Sequence, residues 1–126
     1  MVKMNKEEFV NALNKLNVEF NDDILNKLNV YYELLITWNK KFNLTTILEK
    51  EQVYLKHFYD SITLVKVCDL NQIKTIIDIG SGAGFPGIVL KIFYPHIKLD
   101  ILDSNNKKLL FIKEVVDIEK LTFSYI

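Results

Sequence analysis

In the N-terminal half of the chain the apolar positions fall at helical intervals. Phe9, Leu13 and Leu16 form one stripe, and Asn5 followed three positions later by Glu8 makes a capping pair in front of it. Asn21, with Asp22 and Asp23, starts a second helix whose apolar positions run through Ile24, Leu25, Leu28, Tyr31, Leu35 and Trp38. A third helix begins near Lys50 and presents Val53, His57, Ser61, Leu64 and Val65 along neighbouring faces, after a polar and β-branched break, KFNLTTILE. Beyond Cys68 the period changes. TIIDI at 75–79 is a β-branched run that predicts a strand covered on both faces, and it leads straight into GSGAGFPG. Pro86 suits the first turn of the next helix, where a missing N–H costs nothing. KLDILD at 98–103 predicts a second strand, NNKKLLFIKEVVDIEKL a helix, and LTFSYI at 121–126 a third strand. Strands alternating with helices in this order predict an α/β fold, a parallel sheet with right-handed crossovers. The chain therefore divides into an N-terminal helical segment, 1–70, and the start of a sheet domain, 71–126.

Composition narrows the class. Hydrophobic residues make up 49% and charged residues 25%, so the chain is expected to pack a core, but 126 residues are few for a complete doubly wound enzyme. Sixteen acidic residues balance sixteen basic ones, which leaves no overall positive field for nucleic acid. All the basic residues are Lys, so any RNA contact must rest on Lys, backbone N–H groups and stacking. Tyr31, Trp38 and Phe42 could stack on a base, although their helical spacing favours core packing. Cys68 is the only cysteine and has no metal-like spacing around it; it reads as a small core residue in a reducing interior. The N-terminus MVKMNKEEFV has charges where a signal peptide needs apolar residues, and no stretch reaches a membrane span. A cytoplasmic protein with no membrane and no metal is expected.

In a parallel sheet, ligands bind beyond the carboxyl ends of the strands, which directs attention to the loop after the first strand. There Asp78, Gly80, Gly82 and Gly84 form DIGSGAG, where glycines let backbone approach a ligand closely. Asp103, at the end of the second strand, is placed to accept hydrogen bonds from a ribose diol. Gly82, Gly84 and Gly87 also satisfy G-x-G-x-x-G, which would make the ligand NAD(P) and the protein an oxidoreductase. Three details oppose that: the first glycine after the strand is Gly80, Phe85 and Pro86 crowd a pyrophosphate, and the Asp78 carboxylate suits a cationic ligand. S-adenosylmethionine is such a ligand.

Several blocks together resemble the small-subunit ribosomal RNA guanine-N7 methyltransferase G family, also called glucose-inhibited division protein B. They are WNKKFNLTTI at 38–47, HFYDSI at 57–62, DIGSGAGFPGIVLKI at 78–92 and LDSNNKKLLFIKEV at 102–115, in family order. The resemblance implies a Rossmann-like class I methyltransferase, here strands one to three of its parallel sheet, preceded by the helical segment. It implies transfer of a methyl group from S-adenosyl-L-methionine to N7 of a guanine in 16S ribosomal RNA of the small subunit. By matched position, Gly80, Phe85 and Asp103 would contact the cofactor, together with Asp78, Gly82 and Gly84. Asn43, Thr45, His57, Asp60 and Ser61 would belong to the pocket wall, with Asn43, His57 and Asp60 nearest the chemistry. Lys107 and Lys108 match a basic pair that could face RNA phosphate. The family's sheet continues past the third strand, so the resemblance implies a truncated member that is inactive alone, with the first strand left as an open sheet edge. A non-catalytic remnant or RNA-binding module is the competing expectation.

Overall fold

A computed structural model describes residues 2–80 and 82–121 and the backbone of Ser124 and Tyr125. Its elements in chain order are α1 (Lys6–Lys15), α2 (Asp22–Asn39), α3 (Lys50–Val53), a π-helical turn (Tyr54–Tyr59), α4 (Asp60–Ile62), a 3₁₀ turn (Thr63–Lys66), β1 (Thr75–Ile79), α5 (Gly87–Phe93), β2 (Lys98–Leu102), α6 (Asn106–Glu119) and β3 (Ser124–Tyr125).

The helix starts follow the capping chemistry of the sequence. At α1, Glu8 N–H donates to Asn5 Oδ1 (2.8 Å) while Asn5 N–H donates back to Glu8 Oε1 (3.0 Å), a closed capping box. At α2 the Ile24 N–H donates to Asn21 Oδ1 (2.9 Å), and Asp22 and Asp23 lie in the first turn, where the helix dipole favours negative charge. The predicted third helix is one continuous helical segment that changes pitch, from α through a π turn to 3₁₀. Pro86 stands at the cap of α5 rather than inside its first turn. Cys68 is half-buried against the core and its thiol lies 3.6 Å from Leu64 O.

β1 and β2 pair in parallel from Thr75↔Lys98 to Ile79↔Leu102, and β2 pairs in parallel with β3 at Asp100↔Ser124 and Ile101↔Tyr125. The strand order is β1-β2-β3, so β1 is an edge. Of the predicted third strand, Thr122, Phe123 and Ile126 lie outside the described residues. Helix α2 packs against both α5 and α6, and α5 packs on β1 and β2. One apolar core runs from Met4 to Val116, with Tyr31, Phe9, Phe58 and Phe111 its largest fully buried side chains. Lys91 is buried at the end of α5, where its ammonium donates to Pro95 O and Ile97 O (both 2.6 Å) and burial lowers its pKa. One expectation fails. TIIDI is covered on one face only: Ile76 and Asp78 turn toward α5, whereas Ile77 and Ile79 are 57% and 74% exposed and Leu102 beside them is also open. The β-branched run records the apolar character of both faces, but among the described residues the helices lie against one of them.

Candidate functional site

The loop between β1 and α5 is held on three sides and open on the fourth. Gly80 N–H continues the strand ladder by donating to Leu102 O (2.7 Å), and its φ of +66° suits a residue without a side chain. A Cβ built at Gly80 would meet nothing within 4 Å, so this side of the loop is free space. Gly84 (φ +97°) is the opposite case, because a Cβ there would lie 2.5 Å from Tyr31 Oη and 2.8 Å from Ile88 Cγ1. That hydroxyl comes from the middle of α2 and donates to Ala83 O, next door in the loop. Burial, with the nearby Asp78 and Glu119 charges, raises the Tyr31 pKa well above its usual value, so the group remains a donor.

Two carboxylates flank the loop. Asp78 is buried, and its Oδ2 accepts from Gly87 N–H at 2.8 Å. Burial raises its pKa, the Gly87 bond opposes the rise, and the Asp103 charge adds to it. Asp103, half-buried just past β2, joins the loop to the start of α6: Oδ2 accepts from Gly82 N–H (3.2 Å) and Oδ1 from Asn105 N–H (2.9 Å). Lys108 brings its Nζ to 3.9 Å from the Cβ position of Gly82.

The wall opposite comes from the break after α2 and the π turn. Asn39 organises it, since its Oδ1 accepts from Leu44 N–H (2.8 Å) and Thr45 N–H (3.0 Å). Thr45 Oγ1 accepts from Ile47 N–H (3.1 Å) and lies 3.0 Å from His57 Nε2. The contact between Thr45 Oγ1 and His57 Nε2 fixes the ring's orientation with either ring nitrogen carrying the hydrogen, because a hydroxyl can both donate and accept. Burial lowers the His57 pKa, partly offset by Asp60. The ring stacks flat on Phe85, centroids 4.3 Å apart and planes within 6°. Phe85 in turn lies against Tyr31 (5.5 Å). A groove of about 470 Å³ opens beside this stack, lined by His57, Asp60, Ser61, Leu64, Phe85 and Pro86 among others. A larger hollow of about 720 Å³ lies between α1, α2 and α3, away from the loop, and shares none of these residues.

The structure thus brings Thr45, His57 and Phe85 into one stack, and Asp78, the glycines, Asp103 and Lys108 around one loop. Ser61 is buried with its hydroxyl donating to His57 O (2.6 Å), and Asp60 is exposed on the lining of the groove, whereas Asn43 is exposed and not part of that lining. Lys107 turns the other way, its ammonium 5.3 Å from the Phe42 ring centre. Sequence reading passed over Asn39, although an Asn directly at a predicted helix end is a known loop organiser. It took Tyr31 correctly as core, but its bond to Ala83 spans 52 positions and left no local trace.

The charge pattern at α6 is unusual. Lys107 and Lys108 occupy its first turn, which holds no acidic residue, although the positive end of the helix disfavours cations there by roughly 0.3–1 kcal/mol each. Among the described residues the ion pairs are Lys3 with Glu49 and Glu51, and Lys27 with Asp23; none involves Lys40, Lys41, Lys107 or Lys108. No helix among those residues is long and apolar enough to cross a membrane, and no group of three or more His, Cys, Asp or Glu side chains could hold a metal ion. A dinucleotide would bring its pyrophosphate to the N-terminus of α5, where the Gly87 N–H is one of the donors. Here that N–H is closed by the Asp78 carboxylate.

Residues 24–126 match the family model of rRNA small subunit methyltransferase G. Ribosomal RNA small subunit methyltransferase G of Bacillus subtilis (strain 168) is 45% identical over 125 residues, which is 97% of this chain and 52% of that protein. Its counterpart from Exiguobacterium sibiricum is 49% identical over 109 residues (86% of this chain, 46% of that protein). The one from Macrococcus caseolyticus is 47% identical over 112 residues (89% and 47%). The chain spans about half the length of the curated relatives it matches.

Proposed function

Because the chain belongs to the rRNA small subunit methyltransferase G family, we propose that it serves a cytoplasmic, S-adenosylmethionine-dependent enzyme that methylates N7 of a guanine in 16S ribosomal RNA. Residues 71–126 begin a Rossmann-like class I methyltransferase sheet, and 1–70 form the helical wall against its cofactor loop. The observation that carries the reading is the loop itself, open over Gly80, with Asp103 beside it and the helix-start N–H of Gly87 already closed to phosphate by Asp78. Such a cradle fits a ligand that brings a ribose and a positive charge better than one that brings a pyrophosphate.

In this reading Gly80, Gly82 and Gly84 hold the cofactor by backbone approach and Phe85 packs against it. Asp103 exchanges its bond with Gly82 N–H for the ribose hydroxyls, and Asp78 adds negative potential beneath the loop. When bound, S-adenosylmethionine supplies an electrophilic methyl group. Guanine N7 has an in-plane lone pair and no proton to lose, so the protein needs no general base; its contribution is alignment and tolerance of a positive charge on the base. His57, oriented by Thr45 and Phe85, exposed Asn43, and buried Ser61 behind His57 position the base, while Asp60 and Asp78 offset the developing charge. Lys107 and Lys108 meet RNA phosphate.

Calorimetric titration with S-adenosylhomocysteine and with NAD tests this. Binding of the first and not the second is expected, and the reverse result would replace the methyltransferase reading with an oxidoreductase one. Asp103→Ala should weaken S-adenosylhomocysteine by about 1–3 kcal/mol, and an unchanged affinity would remove Asp103 from the site.

A further inference from the structure

We propose that the cleft between Trp38, Phe42 and Leu110 is a stacking subsite for one unpaired base of the RNA, with Lys41 and Lys107 at its rim for the adjoining phosphates. The assignment of RNA as the partner rests on the reading above; the subsite itself rests on four local observations. The cleft measures about 200 Å³ and is lined by Thr37, Trp38, Lys41, Phe42 and Leu110. That is below the roughly 300–1,000 Å³ of a whole small-molecule pocket and suits a single planar ring system. Its aromatic floor is half-exposed and firmly backed, since Trp38 meets Phe42 at 5.8 Å between centroids and leans edge-on against fully buried Phe111 at 5.9 Å. Leu110, 51% exposed on α6, forms an apolar lip.

Charge decides between a nucleotide and an apolar peptide as occupant. Lys41 and Lys107 have no carboxylate partner among the described residues, in a chain whose formal charge is zero, and Lys107 holds its ammonium over the Phe42 face. An aromatic platform edged by uncompensated cations is the arrangement that takes a base on its face and phosphates at its side. Position supports it as well. Lys107 and Lys108 are consecutive, one reaching this cleft and the other reaching Gly82 of the cofactor loop, so one strand of RNA crossing the start of α6 passes both.

Trp38 is the only tryptophan of the chain, so its fluorescence reports on the cleft alone. Titration with short oligoadenylate should quench it in a salt-sensitive way, whereas duplex RNA of equal length should quench it little. Phe42→Leu should weaken oligoadenylate by roughly 5- to 150-fold, the range for loss of one stacked base. Lys107→Gln, at an exposed side chain, should weaken it less and reduce the salt dependence. Phe42→Leu should leave S-adenosylhomocysteine affinity unaltered. Absent quenching, or quenching that both variants leave unchanged, overturns the subsite whatever the cofactor titration gives. Quenching that both variants weaken, in a chain that binds no S-adenosylhomocysteine, keeps the subsite and removes the methyltransferase reading.

Discussion

A methyl group added at Gly80 and one added at Gly84 would meet opposite surroundings. At Gly84 it would strike Tyr31 Oη and Ile88, with the backbone at positive φ, so Gly84→Ala is expected to cost about 3 kcal/mol from overpacking and conformational strain together. At Gly80 only the backbone conformation opposes it, and about 1 kcal/mol is expected, with loss of S-adenosylhomocysteine binding as the larger effect. Urea denaturation separates them; equal losses would mean that the Tyr31 contact does not hold the loop. Glu119 offers a second test. It is 5% exposed at the C-terminal end of α6, its Oε2 has no hydrogen-bond partner, and burial raises its pKa to about 7, with Lys27 opposing and Asp23 adding. An acid whose folded pKa lies above its unfolded one binds more protons when folded. Stability therefore falls as pH rises from the unfolded value of 4.5 to about 7 and is level beyond. Glu119→Gln should stabilise the chain at pH 8 by about 1–3 kcal/mol and lose that advantage below pH 4.5. Thermal melts across this range showing a constant difference would contradict it.

At the scale of elements, α1 and α6 begin alike and then diverge. Each has an Asn cap, but the third helical position is Glu8 in α1, which closes the box, and Lys108 in α6, which cannot. Lys108→Glu should therefore stabilise the chain by about 0.5–1 kcal/mol through the cap and the dipole while weakening RNA binding. A destabilised variant in chemical denaturation would show that Lys108 holds the glycine loop instead. The α1 cap was readable because capping is a matter of residue type at fixed spacing, whereas the Asn105 cap of α6 went unnamed. β1 and β2 were readable from their apolar and β-branched runs, and α6 from its helical spacing. The π turn at Tyr54–Tyr59 was not, because a change of pitch alters which faces Tyr54, His57 and Phe58 present without altering the apolar count. Nor was the stack of His57 on Phe85, since ring contacts between distant segments have no signature within either one.

For the molecule as a whole, the open edge of β1 and the exposed apolar face around Ile77, Ile79 and Leu102 make an association surface among the described residues. This polypeptide is expected to self-associate with rising concentration, and Ile79→Lys should shift it toward monomer in sedimentation velocity. An unchanged distribution would mean that association, if any, runs through another surface. Sequence reading expected an open edge at β1 yet also a strand covered on both faces; the exposed Ile77 and Ile79 show that composition records what a strand is suited to meet, not what meets it. The bond from Tyr31 to Ala83 carries a consequence in time. Its partners lie 52 positions apart, so the chain must close that distance before the glycine loop is braced, and contacts of such separation form slowly. The helices formed from local signals come first and the loop follows once α2 has docked. During refolding, amide protons of α1 and α2 should gain protection from exchange ahead of Gly82 N–H, and competence to bind a ligand should arrive with the latter.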